Sequence, residues 1–417
     1  MLTSLPVEAL GNIAACITSP IDIVAFALTS KTLAAIASPR HTRLRKIVCS
    51  RFALCVWQLL ATSPSLARNV RFLTICDRSH RGQVLPTSCM RCAPGCGHGH
   101  ISLPEDYAGV QAMKQAERVM IAALKNMSNL VLFDWQAAIP NKIVAHNEPD
   151  KQDVWSSLAA ITSLDGIVVS ESDRCPMWDS QLFSLSNLTV FDYTTSISLG
   201  PSTPPDCSRL VAMLRDRCPG LEELYLRFTA RFFAENGFSA PDLGESLFTA
   251  RWPNLTAVGL KCVVSTPAAV VSFLAAHPGL RRVHMDKWFG CRRPLSDDFE
   301  DFDWDSPIAL RLALPRGVLP DLETLHCIPR HAIDIVRTIL SSPATGGAGA
   351  LTISVDVARQ AGMDDAALDE FVSVMKDLPP NITVANRADV ESAVGEWKWW
   401  RILEARRKAH NFDTSPA

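Results

Sequence analysis

A six-residue pattern recurs along the chain: one apolar residue, two positions of mixed character, then two apolar residues separated by one. It reads LVLFDW after Asn129, LTVFDY after Asn187, LEELYL after Gly220, LTAVGL after Asn254, LRRVHM after Gly279 and LETLHC after Asp321. A weaker copy, VRFLTI, follows Asn69. The two closing apolar positions are two apart, so on a strand they share one face while the residue between them takes the other. Pro219, Pro253, Pro278 and Pro320 stand just ahead of Gly, Asn, Gly and Asp. Each copy therefore predicts a turn and then a short strand. LDGIVV at 164–169 predicts another strand, and LTISV from Leu351 and ITV after Asn381 read as degenerate copies.

Between these strands the apolar spacing changes to three and four. Leu210, Val211 and Leu214 form one such run, Val270, Phe273 and Leu274 a second, and Ile335, Val336, Ile339 and Leu340 a third. A further helix is expected near Ala112–Leu124, and Thr266-Pro267 supplies a cap and an early proline for the second run. One strand and one helix cannot hide their apolar faces alone, whereas stacked copies share a continuous core. The predicted fold is α/β: an irregular solenoid whose parallel sheet lines a concave face, with helices outside. The strand residues left facing out include Asp134, Asp192, Glu223, Tyr225, Arg227, Lys261, Arg282, His284, Asp286 and His326. Both signs of charge and one tyrosine suit a protein target, and Arg and Tyr are frequent anchors in such contacts. Taken singly, each is a solvated strand residue.

The N-terminal segment follows a different rule. LPVEALGNI opens a helix, with Ser4 as cap, Pro6 in the first turn and Glu8 complementing the helix dipole. Leu10, Ile13 and Ile17 recur at helical spacing. Ser19-Pro20 starts a second helix with Asp22, Ile23, Phe26 and Ala27, and Ser30 caps a third with Leu33, Ile36 and Ala37. Helices of about 9–12 residues do not stand alone in water. Their apolar positions exceed what so small a bundle can bury, which predicts an interface. The segment resembles the F-box through Leu5, Pro6, Glu8, Leu10, Ile13, Ile17, Asp22, Ile23, Val24, Leu28, Ser30, Lys31 and Leu33. It departs at Gly11, at Thr29, where the family often has Val or Cys, and at Leu33, where Trp or Phe is common.

The resemblance implies binding to the Skp-type adaptor of a Skp–cullin–F-box ubiquitin ligase. Leu5, Pro6, Leu10, Ile13, Ile17, Ile23 and Leu28 would make the apolar contacts, with Lys31 at the rim. The repeating body resembles leucine-rich repeats of the kind joined to fungal F-boxes, without their usual asparagine ladder. Together these imply a substrate-recognition adaptor, not an enzyme, holding an unidentified protein target by its repeats for ubiquitin-dependent degradation. The alternative is a leucine-rich-repeat scaffold without a ligase. The layout expected is an F-box at 1–48, a solenoid at 49–388, a capping helix at 389–411 and a tail at 412–417.

Composition narrows the partners. The chain has 417 residues and a formal net charge of −2, so no bulk charge favours nucleic acid or an anionic membrane. The apolar stretch near Leu10–Leu28 is broken by Pro20 and Asp22, short of the about 20 unbroken residues of a membrane span. There is no basic region ahead of an apolar run at the N-terminus, so a signal peptide is not expected. The 13 cysteines, many in apolar settings such as Cys16, Cys55 and Cys262, read as reduced and buried. Cytoplasm or nucleus is the expected compartment.

Two insertions interrupt the repeats, at 89–106 and 291–307. CMRCAPGCGHGH places Cys89, Cys92, Cys96, His98 and His100 in one Gly-rich loop. Cys89, Cys92, Cys96 and His98 are a candidate structural zinc set, though zinc modules usually draw two ligands from a distant element. No other cofactor is expected. DDFEDFDWD at 297–305 is an acidic run with Phe299, Phe302 and Trp304, read as an insertion that pins its aromatics or as a docking loop for a basic partner. Phosphate-loop and nucleophile-elbow motifs are missing.

Overall fold

A computed structural model of the chain describes residues 5–17, 20–37, 45–51, 53–76, 107–136, 154–171, 181–196, 207–229, 243–261, 263, 265–285, 312–327, 329–341, 351–355, 370, 373–374, 378–379 and 382–385. The protein is mixed α/β, with eleven strands whose described pairings are parallel and whose sheet order follows the sequence. It divides into two compact units, 1–190 and 191–417. Among the described residues no helix is long and apolar enough to cross a membrane.

The first unit opens with α1 (Val7–Cys16), α2 (Pro20–Leu28) and α3 (Lys31–Ala37). As the sequence predicts, Ser30 caps α3, its Oγ accepting from Leu33 N at 3.1 Å. Leu10, Ala14, Ile23, Leu33 and Ala37 are buried. Strand β1 (Lys46–Cys49) then pairs with β2 (Phe72–Cys76), β2 with β3 (Leu132–Gln136), and β3 with β4 (Gly166–Glu171). Helices α4 (Leu54–Thr62), α5 (Pro64–Ala67), α6 (Tyr107–Lys125) and α7 (Val154–Ala159) lie between the strands in sequence. Strand β1 was not anticipated, although LRKIVC at 44–49 keeps the spacing of the pattern; no Asn, Gly or Asp precedes Leu44, and the strand straddles the expected boundary at 48.

The second unit holds most of β5 (Val190–Ser196), then β6 (Glu223–Thr229), β7 (Ala257–Lys261), β8 (Arg282–Met285), β9 (Thr324–Cys327), β10 (Leu351–Val355) and β11 (Ile382–Ala385). Its helices are α8 (Ser208–Ala212), which continues into a wider π turn over Met213–Arg217, α9 (Gly244–Thr249), α10 (Pro267–Ala276) and α11 (Pro329–Leu340). Thr266 caps α10 as expected, Oγ1 accepting from Ala269 N at 3.2 Å.

The recurring pattern has a clear physical basis. Its leading residues Val70, Leu130, Leu164, Leu188, Leu221, Leu255, Leu280 and Leu322 are all buried, and so are both closing apolar positions in every one of these copies. Burying one such side chain stabilises by about 1.5–3 kcal/mol. The residue just after the leader plays a backbone role. Its carbonyl accepts two N–H groups from the start of the next strand: Arg71 O takes Val131 N and Leu132 N, Val131 O takes Asp165 N and Gly166 N, Glu222 O takes Thr256 N and Ala257 N, Thr256 O takes Arg281 N and Arg282 N, and Arg281 O takes Glu323 N and Thr324 N. Turn side chains tie adjacent copies as well: Asn129 Nδ2 donates to Arg68 O at 2.9 Å, and Ser163 Oγ donates to Ser128 O and Leu130 O.

One expectation is corrected. Cys16 is exposed at the end of α1, not buried, because α1 turns that side away from the bundle. Cys49, Cys76, Cys207, Cys218 and Cys327 are buried and Cys55 is half-buried, and none of these six is in a disulfide.

Candidate functional site

Two surfaces stand out, one in each unit. The first is on the N-terminal helices. Leu5, Val7, Ile13, Val24 and Leu28 are 42%, 59%, 36%, 50% and 80% exposed, and the remaining large apolar side chain that stands as open among the described residues is Leu340. Five of six such residues thus fall within one short helical segment. The placement sorts the contacts that the sequence suggests. Leu5, Pro6, Ile13, Leu28 and Lys31 are exposed and Ile17 is half-buried, whereas Leu10 and Ile23 are interior and support the surface from beneath.

Arg45, which the sequence did not single out, anchors this bundle. It is 7% exposed just ahead of β1, and its guanidinium donates to the carbonyls of Ala14 and Ile17 at the C-terminal end of α1. Those carbonyls have no helical partner of their own, and a cation there also complements the helix dipole.

The second surface is the face of the sheet opposite the buried one. In the second unit a single rung crosses it: Tyr225 is in register with Gly259, Gly259 with His284, His284 with His326, and His326 with Ser354. Each of the first four is the residue between the two closing apolar positions of its copy. Gly259 is required here, because a Cβ would run into Tyr225 Cδ1 and lie 3.1 Å from Cε1. The tyrosine therefore lies across β7 in place of a side chain. Arg227 sits over its ring at 5.1 Å, a cation–π contact, and burial pushes the phenol pKa up.

Charges on this face are largely paired. Arg227 Nη2 meets Asp192 Oδ2 at 3.3 Å, and Arg282 Nη2 donates to Glu223 Oε1 at 2.7 Å. His284 and His326 face each other with ring centroids 4.1 Å apart, and His326 Nδ1 lies 3.0 Å from Ser354 Oγ. Burial, then His326, Arg227 and Lys261, hold the His284 pKa down to about 4, so its ring is neutral near pH 7. No group of three His, Cys, Asp or Glu among the described residues is placed to hold a metal.

The first unit has a smaller rung: Val48, Thr74, Asp134 and Val168 are in register. Asp134 Oδ2 accepts from Gln136 Nε2 at 2.8 Å and from Thr74 Oγ1 at 3.3 Å, while burial pushes its carboxyl above the ordinary range.

The structure therefore brings Glu223, Tyr225, Arg227, Lys261, Arg282, His284 and His326 onto neighbouring strands of one face. Sequence reasoning missed Gly259 and Ser354. Gly259 was visible as the one glycine at that position of the pattern. Asp286, the candidate zinc ligands Cys89, Cys92, Cys96 and His98, the 89–106 and 291–307 insertions and the 389–411 helix lie outside the described residues. Comparison with known proteins gives no matching family model and no matching curated protein.

Proposed function

We propose that the chain is a substrate-recognition adaptor of a Skp–cullin–F-box ubiquitin ligase, with an F-box at its N-terminus and leucine-rich-like repeats that hold a protein target. The observation that carries this is the concentration of exposed apolar side chains just ahead of α1 and on α1 and α2: Leu5, Val7, Ile13, Val24 and Leu28. Exposed clusters of this kind mark protein contacts in chains that otherwise bury their leucines, and here they coincide with the positions that resemble the F-box. The adaptor transfers nothing itself. It works by effective concentration, one end held by the Skp-type adaptor and the target held by the repeats. The repeat reading is supported by the common burial of leading and closing apolar residues and by the shared carbonyl geometry at successive strand starts.

Co-purification of the full chain with a Skp-type adaptor tests the proposal. The Leu5→Asp plus Ile13→Asp double variant should lose the complex, since both sites are exposed and the bundle core at Leu10 and Ile23 is untouched. Leu340→Asp, the comparable change on α11, should keep it. A complex that survives the double variant, or no complex with the wild type, refutes the ligase link and leaves a repeat scaffold.

A further inference from the structure

Among the described residues on the sheet face of the second unit, both acids are paired and one cation is left over. Glu223 is held by Arg282 and Asp192 by Arg227. Lys261 stands in register with Arg227 and has no ion-pair partner among the described residues. Beside it, the Tyr225 ring lies across Gly259, so an aromatic face and not a β7 side chain stands between Tyr225's own strand and the His284–His326 pair. We propose that this patch receives an acidic side chain of an extended target peptide, its carboxylate lying against Lys261 and His284 with Tyr225 as the flat wall beside it. The proposal rests on the reading that the sheet face holds a target, and it names the chemistry of that target.

Charge complementarity selects the occupant. A basic segment would meet Lys261 and would have to displace Arg282 from Glu223, breaking a charge-assisted hydrogen bond. A carboxylate instead supplies an anion to Lys261, the cation that the pairs Arg227–Asp192 and Arg282–Glu223 leave over among the described residues. It also gives His284 an acceptor. The charged and titratable groups around His284 among the described residues are Glu223, Tyr225 and Arg227 on β6, Lys261 on β7, Arg282 on its own strand and His326 on β9. An anion placed there raises the proton affinity of His284, so by linkage an acidic peptide binds more tightly as pH falls.

The test is selection from a random-peptide display library on the full chain, then fluorescence anisotropy with the enriched peptides at pH 7.5 and 5.5. Peptides rich in Asp or Glu should be enriched. Replacing their acids by Asn or Gln, or using the Lys261→Glu variant, should weaken binding about tenfold or more, while Lys125→Glu on α6 should not. Wild-type affinity should rise several-fold between pH 7.5 and 5.5. Enrichment of neutral or basic peptides, or equal binding by Lys261→Glu, overturns the inference while the sheet face keeps its role. No enrichment at all overturns both. Loss of the Skp-type adaptor complex, scored separately, bears on the ligase reading alone.

Discussion

His277 offers a sharp test of how the second unit is held together. It follows α10 and is 2% exposed. Its Nδ1–H donates to Phe273 O at 2.7 Å, and its Nε2 accepts from the backbone N–H of Trp252 at 3.1 Å. The ring stacks on the Trp252 indole at 5.9 Å and touches Phe273 at 4.4 Å between centroids. Both nitrogens are thus assigned, and only the neutral ring satisfies them. In His277→Leu the volume is roughly kept but Trp252 N–H is orphaned in the interior. That orphan costs about 1–3 kcal/mol and the lost bond to Phe273 about 0.5–1.5 more, about 2–4 kcal/mol together. For a unit of this size the loss corresponds to a fall in Tm of about 5–15 °C.

Burial holds the His277 pKa below its ordinary value. The unfolded chain then takes up a proton, below its pKa of about 6.5, where the folded chain does not. The contribution of His277 is fully present above that value and declines as pH drops beneath it. Urea denaturation between pH 8 and 5 should show wild-type stability falling with pH, and His277→Leu should flatten that slope, leaving the part that comes from His284. A Tm change under 1 °C, or an unaltered slope, would refute the reasoning.

Two further outcomes are expected. Arg45→Met removes the donors to Ala14 O and Ile17 O, each worth about 1.5–3 kcal/mol when the donor is charged, so hydrogen exchange should accelerate across 7–16 and stay unchanged across 132–136. Equal acceleration in both segments would mean that Arg45 holds the unit as a whole and not α1. Gly259→Ala should cost about 1–3 kcal/mol by driving Tyr225 off β7, and the cost should shrink when Tyr225→Ala is already present, a coupling measurable by a double-mutant cycle.

The strands were legible because each copy of the pattern carries its own burial code. Leu255, Val258 and Leu260 announce β7 without reference to any neighbour, and so do their counterparts in the other copies. The strand Lys46–Cys49 keeps the same spacing in Leu44, Ile47 and Cys49, but without an Asn, Gly or Asp turn ahead of Leu44 it reads as the end of the N-terminal segment until its pairing with Phe72–Ile75 is seen. Polar roles were harder to foresee. Arg45 lies among Arg40, Arg43 and Lys46, and nothing local separates it from them; the carbonyls of α1 do. His277 precedes a Pro-Gly turn and looks like loop until Trp252, twenty-five residues earlier, supplies its second partner. The cationic sheet face was readable residue by residue, because position within the pattern fixes the rung. The pairing of Arg282 with Glu223, two strands away, was not.

One backbone habit reaches beyond stability. Because a lone carbonyl after most of the leading residues receives the following strand, docking there is settled where the strand begins and does not depend on the connection that leads to it. Val70 to Leu130 and Leu255 to Leu280 are joined by stretches of very unequal length, yet both arrivals use the same two-pronged acceptance. Whole modules can therefore be duplicated or deleted, and the intervening segments can lengthen or drift, while their neighbours still find the same foothold: a lineage of such chains is free to change its size faster than its architecture.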